Sequence, residues 1–493
     1  MDPQTRLTRR RLLGTAAAGT AAAALPATPS SAASRRKVDV VIVGGGLAGL
    51  TAARNLLKSH RSVLVLEARD RVGGRTFNHP LGDGQVIEAG GEFVGPTQDR
   101  LLALAKSVGV GSYKAYNEGQ NVLLARGLRS LYPAIPGIVK DSQDPEVYND
   151  VFRGLNSADA LGAQVGVRAP WKAHGAAKLD RETLAQWGKG RFKSPITGSL
   201  LDSASEAIWG KDTSQLSLLY SAFYVGAAGD AKNKGSFGRL IQVVGGAQES
   251  RFTGGSQEIA IRVAAALGNR VLLNSPVRRI TQGRKGVTVG ADGVTVEAKQ
   301  VIVALPPVLA RQISFEPALP AEHRRLLIRY TPGDMIKAQL IYDRPWWRDK
   351  GLSGQIVVDA GPAGATYDNT PPSGAPGVIL GFVGGRQAVR YRGLSEVDRR
   401  QALIDELAAT LGDEARSPSD FFEMDWTAEA WTRGCPTGSM APGVLSRFGS
   451  ALRAPTGRIH WAGTETSDYW AGYMDGAVRS GERGAKAALR ALG

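Results

Sequence analysis

The chain has 493 residues, 43% hydrophobic and 22% charged, enough for two or three domains with a large core that needs no cross-links. One cysteine excludes an intramolecular disulfide, and five histidines without a His/Cys cluster at ligand spacing leave no metal site. The formal charge of +16 admits an anionic partner, yet the basic residues interleave with acids and form no run spaced by aromatics, so nucleic acid is not an expected partner.

Residues 1–33 read as an address. Thr8-Arg9-Arg10-Arg11-Leu12-Leu13 precedes a small, apolar run from Gly14 to Leu25, then Pro26 and a Ser/Ala-rich stretch. Charged, apolar and small, in that order, is the pattern of an export signal, and the paired arginines point to the twin-arginine machinery. Cleavage near Ala33 and a secreted or periplasmic protein follow as expectations. That route carries proteins already folded, which agrees with a single cysteine. No later stretch has 18 consecutive apolar residues, so no transmembrane helix is expected.

Val38–Val43 is β-branched and nearly all apolar, as in a buried parallel strand. Gly44-x-Gly46-x-x-Gly49 follows at once, then Leu47, Leu50, Ala53, Leu56 and Leu57 at helical spacing. Ser62–Leu66 gives a second strand that ends at Glu67. Gly44 permits the tight turn, Gly46 lets a pyrophosphate approach the backbone, and Gly49 lets helix and strand pack closely. The helix start offers free N–H groups to phosphate, and Glu67 can accept from ribose hydroxyls. A Rossmann-type dinucleotide site in an α/β fold is the expected outcome.

The next residues, Glu67-Ala68-Arg69-Asp70-Arg71-Val72-Gly73-Gly74-Arg75, resemble the flavin-containing amine oxidase family, which extends its FAD site this way. Further stretches resemble monoamine oxidases in the same order. They are Glu88–Gln98, Phe252–Ser256, Ser275-Pro276-Val277, Gly333–Lys337 with Pro345-Trp346-Trp347, Gly463–Thr466 and Trp470–Ala477. The resemblance runs from about residue 37 to the end. It implies a Rossmann-type FAD-binding domain from 37–112, 250–325 and 428–493, with 1–36 as signal and linker. A discontinuous α+β substrate domain would come from 113–249 and 326–427. Residues 361–377, rich in Gly and Pro, read as loop.

The same resemblance implies site residues. Arg69, Gly74 and Arg75 would neighbour the phosphates and flavin. Gly91, Glu92, Val277, Gly463, Glu465, Gly472 and Met474 would contact FAD, with Glu465 on the ribityl chain or phosphate-side waters and Phe93 facing the substrate. Period-two alternation alone makes Lys337 a solvated lysine on an exposed strand face. The resemblance instead implies a lysine that holds a water against the flavin and aids reoxidation. Tyr473 would be one wall of an aromatic cage that favours the neutral amine. The second wall is often a tyrosine after Gly-Cys, but here the residues are Gly434-Cys435-Pro436; Trp431 and Trp470 are candidate substitutes. Cys435 falls where some members bind FAD covalently, and its altered surroundings favour non-covalent FAD.

Glu92 is able to attract an ammonium group or a diamine tail. No arginine in Gly90–Val94 is present to clamp a carboxylate, which favours amines over amino acids. The expected activity is oxidation of a primary monoamine by O2 to aldehyde, ammonia and hydrogen peroxide. A putrescine or polyamine oxidase, an L-amino acid oxidase and a flavin-binding interaction protein are the alternatives; Lys337 and Tyr473 argue against a C–C desaturase. A homodimer is left open.

Overall fold

The computed structural model describes residues 34–134 and 145–493. The export-signal reading, on residues 1–33, lies outside them.

Two large sheets organise the chain. In the first, Ser34–Val43 lies between Val294–Val303 and Val63–Leu66, parallel to both. The sheet continues through Val271–Leu272 on one side and through Val287–Ala291, Val277–Gln282 and Ser314–Glu316 on the other, and Ile459–Trp461 also pairs with Val294–Val303. The first strand begins at Ser34 because Ser34–Lys37 pair with Val294–Glu297, so residues 34–36, read from sequence as linker, are part of the sheet. Val40–Val43 are covered on both faces, as their apolar run requires.

The helix Leu47–Lys58 packs on this sheet and against the last helix, Met474–Leu492. Both contacts need glycine. A Cβ on Gly49 would lie 2.0 Å from the Gly44 carbonyl oxygen, and one on Gly481 would lie 2.2 Å from that of Ala48.

The second sheet orders its strands Asp420–Asp425, Met335–Tyr342, Gly377–Gly384, Ala365–Asp368, Leu352–Val358, Gln120–Ala125 and Leu128–Pro133. Helices between Pro145 and Ile241 stack beside it around Trp187, Trp209, Phe223 and Leu240. Two sequence readings change here. Residues 361–377 are not all loop, because Ala365–Asp368 gains partners on both sides, with Thr366 opposite Ile356 and Gly381. Met335–Tyr342 has no solvated face, because strands flank it on both edges and every residue in it is buried. No described helix is long and apolar enough to cross a membrane.

Candidate active site

A cavity of roughly 530 Å³ runs from the glycine turn of the first sheet to the helices beside the second. At its nucleotide end Gly44 bends the chain with φ +106°, and its N–H donates to Leu66 O at 2.8 Å. Gly46 precedes the helix in extended conformation. No side chain caps that helix and its first turn holds no acid, so its N–H groups stay free for an anion. A Cβ on Gly46 would touch nothing closer than 3.9 Å, which leaves room above the turn.

Glu67 is buried at the end of the second strand. One carboxylate oxygen accepts from Gly45 N at 2.6 Å and the other from Arg69 N at 3.0 Å. Arg69 lines the cavity and donates to Glu429 and Thr432, while its buried Nε has no hydrogen-bond partner. Gly74, with φ +61°, and Val277 complete this end. A glycine cradle, a buried acid, a free helix start and a guanidinium with a spare donor fit a dinucleotide such as FAD.

Arg75 crosses the middle of the cavity. It forks to Glu465 at 2.6 and 3.0 Å and donates to Pro436 O at 2.9 Å. Burial alone would raise the Glu465 pKa, but the Arg75 charge and hydrogen bonds outweigh it and hold the carboxyl below its usual range. Glu465 does not itself line the cavity; it holds Arg75, which does. Gly463 (φ +106°) and Gly472 (φ +88°) line this stretch with Met474; a Cβ on Gly472 would meet the Tyr224 hydroxyl at 2.3 Å. Cys435 faces the cavity, and burial pushes its thiol up to about 12 against the pull of Arg75.

Lys337 is 3% exposed in the all-buried strand. Its ammonium donates to Glu88 O at 2.6 Å, Gly90 O at 2.9 Å and the Glu92 carboxylate. Gly91 lies between these acceptors, its N–H bonded to Arg75 O and its carbonyl to Ser256. Glu92 lines the cavity but is engaged by Lys337 and sits 3.3 Å from Arg251. The expectation that Glu92 attracts a diamine tail therefore changes, because its charge is already paired.

Tyr473 faces the cavity just before the last helix, and burial raises its hydroxyl pKa. Trp470 is 1% exposed and does not line the cavity. It stands edge-on behind Tyr473 at 4.9 Å, with its indole N–H on Thr97. Trp431 lies at the nucleotide end, with the Arg278 guanidinium 5.6 Å over its ring, beside the Glu429–Thr432 turn that binds Arg69. Of the two tryptophans, Trp431 lines the cavity and Trp470 does not. The rings available are Tyr367, which lines the cavity 5.5 Å from Phe93 and 6.0 Å from Phe382, and Tyr224, 6.1 Å from Tyr473. Sequence reasoning missed Tyr367 because it lies in the stretch read as loop. It missed Tyr224 because the apolar helix Leu218–Ala227 reads as core. Arg251, in a polar pattern after Ser250, gave no signal.

Among the described residues that line the cavity the only carboxylates are Glu67 and Glu92, and the arginines are Arg69 and Arg278 toward the nucleotide end and Arg75 at the middle. No described group of His, Cys, Asp and Glu is arranged to hold a metal.

The family model described as flavin containing amine oxidoreductase matches residues 47–489. A Mycobacterium tuberculosis protein provisionally named flavin-containing monoamine oxidase AofH is 40% identical over 448 residues, 91% of this chain and 95% of the relative. An L-amino acid dehydrogenase of Synechocystis is 36% identical over 461 residues, 92% of this chain and 95% of the relative. The structure of a putrescine oxidase bound to putrescine superposes with a TM-score of 0.88 at 34% identity, covering 93% of this chain and all of that one.

Proposed function

This chain belongs to the flavin-containing amine oxidoreductase family, and on that premise we propose that it is an FAD-dependent oxidase of primary monoamines. A bound flavin would supply the two-electron oxidation, a hydride leaving the carbon next to the amine nitrogen and the electrons passing to O2 to give hydrogen peroxide, with water hydrolysing the imine to aldehyde and ammonia. The protein's part is to bind, orient and keep dry. The glycine turn and Arg69 would hold the pyrophosphate, and the Arg75–Glu465 fork would stiffen the middle of the cofactor site. Tyr473, Tyr367 and Phe382 would line the amine path and disfavour ammonium there by excluding water.

The single observation that carries the monoamine reading is the pairing of the cavity's charges. Glu67 is spent on two backbone N–H groups and Glu92 on Lys337, so no described lining carboxylate is left for the second ammonium of a diamine. Likewise no described arginine at the amine end is placed to clamp an amino acid's carboxylate. Non-covalent FAD is supported by Cys435, a neutral thiol at physiological pH and therefore a weak nucleophile. The arginine-rich residues 8–13 support export by the twin-arginine route. A peroxide-release panel of tyramine, putrescine and L-amino acids tests the reading. Turnover of tyramine alone is expected; putrescine or an amino acid as the better substrate would overturn it.

A further inference from the structure

Four charged side chains form a buried cluster on the cavity side of the second sheet. Arg251, from the strand Ser250–Phe252, donates to Glu88 at 2.6 Å and to the carbonyls of Asn369 and Thr370 at 2.9 and 3.1 Å. Its Nε lies 3.3 Å from Glu92, and Glu92 is paired with Lys337. Their side chains are all 3% exposed or less. Two carboxylates balance two cations, so the formal charge of the cluster is zero. Tyr113 and Cys435 are further titratable groups beside it: the Tyr113 ring lies 5.5 Å from the Arg251 guanidinium and the Cys435 thiol feels the Lys337 charge, and burial raises both so that both stay neutral.

An ammonium has three N–H donors. Those of Lys337 are all taken, by two backbone carbonyls and one side chain. A solvent molecule that reaches Lys337 must replace one of these acceptors, and Glu92 is the only one able to swing aside without moving the main chain. Glu92 therefore governs both the net charge of the lysine and its access to anything in the cavity. We propose that Glu92 is a positioning residue, the counter-ion that neutralises Lys337 at the cavity wall and exchanges charge with it to keep the buried cluster neutral. This rests on the flavin-dependent function proposed above and on the family resemblance, which implies that Lys337 lies beside the bound flavin.

The cost of burying an unpaired charge gives the consequence for variants. Glu92→Gln leaves one positive charge that nothing in the cluster balances. Lys337→Met leaves two carboxylates against one guanidinium, and Glu92 then takes up a proton; burial already pulls its pKa upward. In the double variant the cluster is neutral again. Infrared difference spectra of the purified proteins, with or without flavin, are expected to show one further protonated carboxyl in Lys337→Met that is missing from the double variant. In flavin-loaded protein, Glu92→Gln is expected to move the flavin midpoint potential to more positive values, and the shift is expected to disappear in the Lys337→Met background. No extra protonated carboxyl in Lys337→Met, or an equal potential shift with and without Lys337, would overturn the proposal. If Glu92→Gln does not fold, the infrared comparison of Lys337→Met with wild type and with Lys337→Met/Glu92→Asp decides: the extra carboxyl must persist in the aspartate variant. Neither readout uses substrate, so a chain that oxidised no amine would remove the functional reading and leave this result to be judged separately.

Discussion

The two ends of the cavity are built on different principles. At the nucleotide end, backbone does the recognition: a glycine turn, an uncapped helix start, and Glu67 tying the turn to the second strand. At the amine end, side chains from distant segments do it: Lys337, Glu92, Tyr367, Phe382 and Tyr473 come from five separate stretches. Backbone recognition fixes spacing in the sequence, because glycine is required wherever a Cβ has no room. Side-chain recognition fixes only proximity in space, which several sequences can satisfy.

The largest expected effect falls at the nucleotide end. Gly49→Ala puts a methyl carbon 2.0 Å from the Gly44 carbonyl oxygen, backbone that cannot yield cheaply. Overpacking of this kind costs about 1–3 kcal/mol or more, and here it displaces the turn itself. Loss of bound flavin, read from the flavin-to-protein absorbance ratio, together with a lower Tm is expected. A variant with full flavin content would break the contrast between the two ends.

Lys337→Met comes next and acts at the other end. Removing a preorganised charge from a dry site costs on the order of 100-fold in rate, so reoxidation by O2, followed by stopped flow, is expected to slow by about that much while flavin stays bound. Unchanged oxidative kinetics would remove Lys337 from the chemistry. Tyr367→Ala is expected to be milder. Aromatic contacts are worth about 1 kcal/mol beyond area, which corresponds to roughly a fivefold loss of kcat/KM for an aromatic amine with flavin content unchanged. An equal loss for a short aliphatic amine would show that Tyr367 supports structure rather than the substrate path.

The smallest effect on activity belongs to neither end and gives a baseline. Glu406 is buried in the helix Glu396–Leu411, and burial raises its carboxyl to about 8 against one hydrogen bond from Ala363 N. Its folded pKa lies above its unfolded one, so its stabilising proton is fully held below about pH 4.3. The contribution is lost as pH rises toward 8, at about 1.4 kcal/mol per pH unit. Relative to Glu406→Gln, wild-type Tm is expected to fall between pH 5 and 8 with activity at neutral pH unaffected. Parallel Tm curves would contradict this.

The same contrast sets what was legible beforehand. Val38 to Arg75 could be read almost residue by residue, since strand, turn, helix, strand and acid are contiguous and each has a local reason. Lys337 was not legible from its own strand. Alternation gave it a solvated face, and only the resemblance to a family pointed inward; its burial comes from the strands on both edges and from residues 88–92, far off in sequence. Trp431 and Trp470 were reasonable aromatic substitutes by composition. Yet Trp431 follows Glu429 to the arginines of the nucleotide end, and Trp470 turns behind Tyr473 to reach Thr97. Tyr367 was hidden in a Gly/Pro-rich stretch that becomes a strand only because two neighbours pair with it. Glu92 was seen as an acid near the cofactor, but its partner Arg251, 159 positions away, could not be foreseen.

Anaerobic titration of the purified protein with tyramine, followed by its visible absorbance, tests the central claim most directly. The protein is expected to be yellow as isolated, to bleach with tyramine and regain colour when air is admitted, and to stay yellow with putrescine. A colourless protein that takes up no flavin, or a yellow one that no amine bleaches, would contradict the account.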